Sequence, residues 1–232
     1  MSLATAKPAH TKEDGSIYYR SLQTMKLAMF GATGVIGSRI FKEALQRGHH
    51  VTAVVRDPTR FHAISFQVEV AKGDVLDPTS VAAAVPDHDA VVSAIGPGPD
   101  VIVGAAHSFL EALPRAGVKR LVTVGGAGSL EVAPGLLFVD APYFPKEYLG
   151  QARANCEALN IYRRNTALDW TFVSPAVWIA PGKRTGRFRL GGDQLLVDAK
   201  GESRISAEDY AVAFLDEVEN PRSIRRRFTV AY

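Results

Sequence analysis

The chain has 232 residues, 47% of them apolar, which is the size and composition of an α/β domain with a full hydrophobic core. Its formal net charge of +3 is too small to predict a nucleic-acid partner, because such proteins usually concentrate basic residues in one patch. No apolar run reaches the ~18 residues of a membrane span, and one cysteine excludes an intramolecular disulfide. The histidines form no metal-ligand pattern, so no metal is predicted.

The first 24 residues are polar and without periodicity, and we expect a disordered extension before the fold. They lack the charged-then-apolar pattern of a secretory signal. Together with the missing apolar span, this predicts a cytoplasmic protein that does not contact membranes. Residues 25–232 are then one domain, present as a monomer or a homodimer.

The first elements predicted after this extension are a strand over residues 26–30, a helix that ends at Gly48, and a strand over residues 50–55. Both strands are short apolar runs, typical of buried parallel strands. The helix carries apolar residues at i, i+4 and i+8, which form one apolar face. The turn before the helix has a glycine at every third position. A glycine-rich turn inside a β-α-β unit of ~30 residues is the setting of a dinucleotide site.

Each glycine of that turn has its own physical reason. Gly31 lets the chain leave the strand sharply, Gly34 lets the backbone approach a pyrophosphate, and Gly37 lets the helix pack closely on the strands. The N–H groups of the first helical turn and the helix dipole then face the phosphates. The other residues of this predicted cradle are Thr33, Val35 and Ile36. The alternative is a turn whose glycines serve tight packing alone.

The end of the second strand predicts which dinucleotide binds. NAD-binding folds usually carry Asp or Glu there for the ribose 2′-hydroxyl, whereas this chain has Arg56 followed by Asp57. A guanidinium matches a 2′-phosphate through paired hydrogen bonds. Arg39, in the first turns of the helix, is either a second cation for that phosphate or a solvated residue. The sequence therefore favours NADP(H), with NAD(H) as the alternative.

Further strands alternate with helices, so the expected fold is a Rossmann-type α/β fold with a doubly wound parallel sheet in a single domain. Strands are predicted over residues 66–70, 90–95 and 119–124, and helices over 79–85 and 101–116. Ligands of such sheets bind at the carboxyl ends of the strands. The residues expected to contact the cofactor there are Asp74 and Val75 at the adenine, Ala94, Ile95 and Gly96 near the ribose and nicotinamide, Gly125 and Pro175.

The second half of the chain is expected to form the substrate side. Residues 125–142 are long for a connector, and we expect them to line the substrate pocket. A helix is predicted over 142–164, a strand over 169–173, and a final strand over 228–230. Residues 181–201, rich in Gly, Lys and Arg, predict a small hairpin-like excursion that covers the substrate.

Several other side chains are expected to have structural roles only. Ser206 is the expected N-cap of a helix. The alternative to cofactor contact by Asp74 and Val75 is a plain strand-to-helix loop with Asp77 as N-cap. The remaining expectations are Trp170 and Trp178 in the core or pocket wall, a half-buried inert Cys156, surface histidines His49 and His50, and a solvated turn with Arg222, Arg225, Arg226 and Arg227.

These motifs resemble the atypical short-chain dehydrogenase/reductases, within them the group named NADH-flavin reductases, and their biliverdin reductase B and NmrA-like relatives. The stretches that carry the resemblance are residues 26–37, 54–58, 73–74, 117–120, 170–176 and 203–211. The resemblance implies a Rossmann fold, a bound nicotinamide dinucleotide, and a flavin or similar oxidised ring as hydride acceptor. The group's name implies NADH, whereas Arg56 favours NADPH.

The chain differs from ordinary short-chain dehydrogenases in the residues that would donate a proton. Ordinary short-chain dehydrogenases carry Tyr-x-x-x-Lys on the helix after the fifth strand, but here Tyr143 precedes Lys146 by three residues and Tyr148 precedes Ala152 by four. Alcohol–ketone interconversion, which needs that proton relay, is therefore not predicted. Hydride transfer to FMN, FAD or riboflavin demands less, because the ring exchanges protons with water. The candidate catalytic residues are Ser129, Lys146 and Tyr148.

Three functions compete at this point. The first is an oxidoreductase in which NADPH reduces a flavin or a quinone-like small-molecule acceptor. The second is an NmrA-like redox sensor that binds NADP(H) without catalysis. The third is a sugar-nucleotide epimerase or dehydratase, which is least favoured because it needs the Tyr/Lys pair and a larger C-terminal substrate domain.

Overall fold

The computed structural model describes residues 24–61, 65–96 and 98–232. Apart from Thr24, the extension predicted at the N-terminus lies outside the described residues. The strands are β1 (Lys26–Phe30), β2 (His50–Val55), β3 (Val68–Lys72), β4 (Ala90–Ser93), β5 (Arg120–Val124), β6 (Glu131–Ala133), β7 (Leu136–Leu137), β8 (Asp169–Pro175), β9 (Trp178–Ala180), β10 (Arg189–Gly191), β11 (Arg204–Ser206) and β12 (Arg226–Ala231). The α-helices are α1 (Val35–Gln46), α2 (Pro78–Ala84), α3 (Pro99–Arg115), α4 (Leu149–Arg163) and α5 (Ala207–Glu219).

The central sheet has the strand order β10-β12-β8-β5-β4-β1-β2-β3. Every neighbouring pair in it is parallel except β10 with β12. The chain moves outward from β1 to β3 and then returns to β4 on the other side of β1. This is a doubly wound sheet, so the predicted fold class is confirmed, and its switch point lies between β1 and β4.

Two apolar cores lie on opposite faces of this sheet. On one face α1 packs against α5, and their side chains Ile40 and Phe214 are fully buried. On the other face α3 contacts both α2 and α4, and its Phe109 is fully buried. The central strands are covered on both faces, which explains why β4 is a continuous buried run without alternation.

The expected N-cap Ser206 is confirmed, and Asp77 is an N-cap as well. Asp77 accepts the N–H of Thr79 at 2.9 Å at the start of α2, and Ser206 accepts the N–H of Asp209 at 3.0 Å at the start of α5. Cys156 is half-buried as expected, and burial raises the pKa of its thiol, which keeps it protonated and unreactive.

The prediction of a helix from residue 142 is wrong at its start. A 3-10 turn over Lys146–Tyr148 comes first, and α4 begins only at Leu149. The physical reason is Pro145, which lacks an N–H and disfavours helical backbone in the residue before it.

The substrate-side segments contain more structure than predicted. Residues 125–142, expected to be a loop, contain the hairpin of β6 and β7. The segment 181–201 is not a hairpin of its own, because its one strand, β10, is the antiparallel edge of the main sheet. The two segments are joined where Glu131 donates its N–H to Asp193 O at 2.9 Å and accepts that of Leu195 at 2.8 Å.

His49 was expected at the surface, and that prediction is wrong, although His50 is exposed. The His49 ring is fully buried between the start of the chain's fold and α5. Its Nδ1 accepts the N–H of Met25 at 3.3 Å, and its Nε2 lies 3.0 Å from Glu219 Oε1. The ring can be buried because Glu219, which is far away in sequence, forms a hydrogen bond with it inside the protein.

Two further expectations were wrong in part. Arg227 is not in a solvated turn: it is buried at the start of β12, where it donates to Asp193 and to Ser129 O. Trp170 is in the core as expected, but Trp178 is 67% exposed beside the carboxyl end of β8. Trp178 is therefore excluded from the core.

Candidate functional site

The carboxyl ends of β1, β4, β5 and β8 lie side by side at one edge of the sheet, where α1 also begins. The chain stays in register just past these ends. Ala94 donates its N–H to Phe30 O at 2.9 Å, and Gly125 donates its N–H to Val173 O at 2.8 Å. Residues from four separate sequence segments therefore meet at the edge that open α/β sheets use for ligands.

Two glycines of the first turn are required by the protein's own packing. Gly31 has a φ of +83°, a conformation that other residues rarely adopt. A Cβ on Gly31 would overlap the carbonyl oxygen of Ala94, and a Cβ on Gly37 would overlap the carbonyl oxygen of Gly31. Tight packing alone accounts for these two positions.

Gly34 is different, because the protein around it leaves room for a side chain. Its φ of −71° and ψ of 169° are open to any residue. The nearest atom to a Cβ built there is Gly31 O, at 3.7 Å. Neither strain nor crowding within the described residues requires a glycine at this exposed position. The arrangement fits a group that approaches the backbone from outside, as a pyrophosphate does.

The N-terminus of α1 offers hydrogen-bond donors to such a group. The first bond of the helix runs from Ser38 N–H to Gly34 O at 2.8 Å, so the N–H groups of Val35, Ile36 and Gly37 precede it. No side chain caps this end, and its first turn has no acidic residue. Thr33 is exposed directly before it. Unpaired donors and the positive end of the helix dipole favour an anion here.

The two arginines predicted to read the 2′-phosphate have different surroundings. Arg56 is exposed at the end of β2 and forms no hydrogen bond or ion pair with any described residue. Arg39 is already engaged: its Nε lies 3.2 Å from Glu208 Oε1, and its Nη1 donates to Val35 O at 3.3 Å. Arg39 would have to share its guanidinium with Glu208, whereas Arg56 has no such partner among the described residues.

Asp74 and Val75, predicted at the adenine, are not equally accessible. Asp74 is exposed, and its Oδ1 accepts the N–H of Leu76 at 3.0 Å. Val75 is only 9% exposed and packs in the core under α2 and α3. The carboxylate of Asp74 can therefore meet a ligand, while Val75 offers little surface to a ring.

The remaining predicted contacts follow the ends of β4, β5 and β8. Ala94 and Ile95 are half-buried, and Gly96 is exposed. A Cβ on Gly125 would overlap the ring of Phe172, so packing requires that glycine. Pro175 is the buried last residue of β8. Of these residues, Gly96 presents the most open surface for a ligand.

The three predicted catalytic residues are not brought together by hydrogen bonds. Ser129 is buried, and its hydroxyl donates to Gly126 O at 3.1 Å and accepts from Arg227 at 3.2 Å. Its only proton is thus used inside the protein. Lys146 and Tyr148 are exposed in the 3-10 turn before α4, and their side chains form no hydrogen bond with described residues.

Sequence reasoning missed two amide side chains of α4. A Cβ on Gly96 would lie 3.9 Å from Gln151 Nε2, and a Cβ on Gly126 would lie 2.9 Å from Asn155 Cγ. These amides therefore face the glycines that follow β4 and β5. Their i, i+4 spacing on a predicted helix indicates that the two amides share one face, but the sequence prediction considered only Tyr and Lys on this helix.

The described residues contain no group of three or more His, Cys, Asp or Glu side chains arranged to hold a metal ion. Within the same ranges, every helix is too short or too polar to cross a bilayer.

A protein-family model described as NAD(P)H-binding matches residues 31–221, which is most of the chain. The chain belongs to this NAD(P)H-binding family. The match begins at Gly31, the first residue of the glycine turn, and ends just beyond α5. The family match and the open space over Gly34 thus both indicate a nucleotide site at the same edge of the sheet.

Three solved structures are similar over nearly their whole length. A candidate exported protein of Burkholderia pseudomallei is 50% identical, with a TM-score of 0.84, over 90% of this chain and 100% of that one. A candidate epimerase of Bacteroides thetaiotaomicron is 41% identical, with a TM-score of 0.86, over 90% and 98%. A candidate NADH-flavin reductase of Streptococcus pneumoniae is 35% identical, with a TM-score of 0.79, over 89% and 99%. Because these names differ in function, family membership determines the cofactor class and leaves the acceptor open.

Proposed function

We propose that this protein is an oxidoreductase that transfers hydride from NADPH to a flavin or a quinone-like ring. The observation that carries the proposal is the open space over Gly34 at an uncapped helix N-terminus. The NAD(P)H-binding family and the similarity to a candidate NADH-flavin reductase support it.

The residues present fit the dinucleotide in two places. The backbone N–H groups of Val35, Ile36 and Gly37 would hold the diphosphate, and Arg56 would hold the 2′-phosphate. When bound, the reduced nicotinamide supplies the hydride. Ala94 and Gly96, which follow β4, are small, and this supports the alignment of two flat rings next to the carboxyl end of that strand.

The missing acid supports a flavin-type acceptor. Lys146 and Tyr148 are two residues apart, so they do not form the i, i+4 pair of an alcohol dehydrogenase. Tyr162 lies farther along α4, but burial raises the pKa of its hydroxyl even though a hydrogen bond with Thr123 acts in the opposite direction. No described tyrosine of α4 is therefore a ready proton donor, and a flavin needs none because it takes its proton from water.

A second function, an NADP(H)-binding sensor without turnover, is supported by the same absence of a placed acid and by the inward-facing hydroxyl of Ser129. An epimerase or dehydratase is not supported, because that chemistry needs the Tyr/Lys pair that α4 lacks.

The test mixes the purified protein with NADPH and FMN, FAD, riboflavin or the quinone menadione, and follows the absorbance of reduced nicotinamide. Calorimetry with NADPH and NADH on the same sample measures binding separately. We expect NADPH to bind and at least one ring to be reduced. Tight NADPH binding without turnover would favour the sensor. If no nicotinamide nucleotide binds to the folded protein, both functions are wrong.

A further inference from the structure

One face of α4 lies over the residues that follow β4 and β5. Gln151 and Asn155 are four residues apart and therefore share this face. Gln151 lies beside Gly96 after β4, and Asn155 lies against Gly126 after β5. The amide pair is thus placed beside the carboxyl ends of β4, which borders the switch point of the sheet, and of its neighbour β5.

Asn155 is buried and fixes the local geometry. Its Nδ2 donates to Gln151 O at 3.0 Å, while its Oδ1 accepts no hydrogen bond from the described residues. Asn155 also lines a cavity between the sheet and α3 and α4, together with the polar residues Ser93, Thr123 and Tyr162. An amide oxygen that accepts no hydrogen bond from the described residues, next to a cavity with some polar lining, is suited to a water molecule or a ligand atom.

The backbone of Gln151 is held in place, whereas its side chain has no hydrogen-bond partner among the described residues. Its carbonyl is held by Asn155, and the preceding Gly150 packs against Pro99 at the start of α3, where an added Cβ would lie 3.6 Å from the proline ring. The Gln151 side chain is exposed, and its amide forms no hydrogen bond with any described residue. A carboxamide on a rigid helical turn at the rim of a site can select among ligands without taking part in proton transfer.

We propose that Gln151 selects the acceptor, and that it favours rings whose edge carries an N–H next to a carbonyl, as a flavin does, over quinones. This inference rests on the proposed function. A carboxamide presents one acceptor and one donor group side by side, so it pairs with both groups of such an edge. A quinone offers acceptors only, which leaves the amide oxygen of Gln151 unpaired when the ring displaces water.

The test compares riboflavin with 3-methylriboflavin, in which a methyl group replaces the hydrogen of that edge. Each flavin is titrated into protein saturated with NADP⁺, and binding is read from the quenching of flavin fluorescence. We expect wild type to bind riboflavin about tenfold more tightly than the methylated flavin, the scale of one lost hydrogen bond. Gln151→Leu should bind the two flavins with similar affinity, because leucine cannot accept that N–H, while NADP⁺ binding is unchanged.

Gln46→Leu is the matched control, since Gln46 is an exposed glutamine in the last turn of α1. It should keep the full preference. Equal binding of both flavins by wild type, or a preference that survives in Gln151→Leu, overturns the inference, and the proposed function stands if NADPH still reduces riboflavin. A loss of NADP⁺ affinity in Gln151→Leu with the preference retained also overturns it, because Gln151 would then serve the cofactor. If wild type binds no nicotinamide nucleotide, the proposed function fails and this inference fails with it.

Discussion

The two sides of the candidate site are held together by different kinds of interaction. On the cofactor side, backbone meets backbone: Gly31 lies against Ala94, and Gly37 lies against Gly31, with no room for a Cβ at either glycine. These contacts depend on the shape of the main chain alone. The geometry of the cradle is therefore insensitive to most side-chain changes around it.

Residues 125–142 and 181–201 form the side on which we propose that the acceptor binds, here called the acceptor side. Long-range hydrogen bonds to a few carboxylates hold its otherwise irregular segments. Asp209, at the start of α5, accepts the N–H groups of Thr185 and Gly186 at 2.8 and 2.7 Å and the hydroxyl of Tyr232 at 2.8 Å. Asp193 accepts from the buried guanidinium of Arg227. Each of these bonds joins parts of the chain that are far apart in sequence.

This difference explains how one family can keep a cofactor and vary its acceptor. Steric packing of glycines fails with almost any substitution, whereas segments held by side-chain hydrogen bonds can be rebuilt with other sequences. The similar structures agree in fold and carry names as different as epimerase and NADH-flavin reductase. Four experiments test or sharpen the comparison.

The largest effect is expected within the cradle itself. Gly37→Ala should lower the free energy of unfolding by roughly 4 kcal/mol or more, because the new Cβ overlaps Gly31 O. Gly34→Ala should leave stability within ~0.5 kcal/mol of wild type, and yet weaken NADPH binding at least ~tenfold, because its Cβ fills space meant for the ligand. Urea unfolding and calorimetry measure the two quantities. Equal loss of stability in both variants would mean that packing explains all three glycines.

The next effect is on the acceptor side. Asp209→Asn should lower the free energy of unfolding by about 3 kcal/mol, because the amide nitrogen that replaces one oxygen of this buried carboxylate cannot accept from the donors of Thr185, Gly186 or Tyr232. Hydrogen exchange should rise in residues 181–201 and stay unchanged in β1 and α1. Asp198→Asn is the control, since Asp198 accepts N–H groups of its own turn and its one ion pair, with Arg204, is with an exposed side chain. Uniform exchange throughout the molecule would contradict the separation of the two sides.

A smaller effect on the free energy of unfolding is expected from Glu43, whose carboxylate joins the cofactor side to the acceptor side. Burial alone would raise the pKa of Glu43, but hydrogen bonds from Arg184 and Arg47 lower it to about 2, from an ordinary value of 4.5. Because the pKa is lower in the folded protein, Glu43 stabilises the fold above pH 4.5, and this contribution is lost as the pH falls toward 2.

Urea unfolding at about pH 5 and about pH 3 should therefore show a loss of stability that is smaller in Glu43→Gln by on the order of 2 kcal/mol. The slope with pH is compared rather than the level, because Glu43→Gln also weakens the fold at neutral pH. Glu111→Gln, which removes an exposed pair with Arg115, is the control and should keep the wild-type slope. Parallel slopes in wild type and Glu43→Gln would exclude this role.

The smallest effect distinguishes the two arginines of the cofactor side. Arg56→Ala should weaken NADPH binding about tenfold, or ~1.4 kcal/mol, and leave NADH binding unchanged, since only the 2′-phosphate is affected. Arg39→Ala should change the preference less, because Glu208 already holds that guanidinium. Calorimetric titration with both nucleotides measures this. Equal affinities for NADPH and NADH in wild type would contradict the assignment to Arg56.

The sequence by itself determined the parts of the molecule that local rules control. The β1–α1–β2 unit, its glycine turn, the N-caps Asp77 and Ser206, and the continuous buried strands follow from spacing and residue type within a few positions. The site predictions that came from the same local rules, Gly34 and Arg56 foremost, occupy accessible places at the carboxyl edge of the sheet.

Only the tertiary structure decided which partners meet across the chain. His49 is buried because Glu219 lies beside it, and β10 joins the main sheet because β12 offers a free edge. The amides of Gln151 and Asn155 became visible only when α4 was placed over Gly96 and Gly126. Residue type and local spacing contain no information about such distant neighbours, since the chain brings them together only by burying its apolar faces.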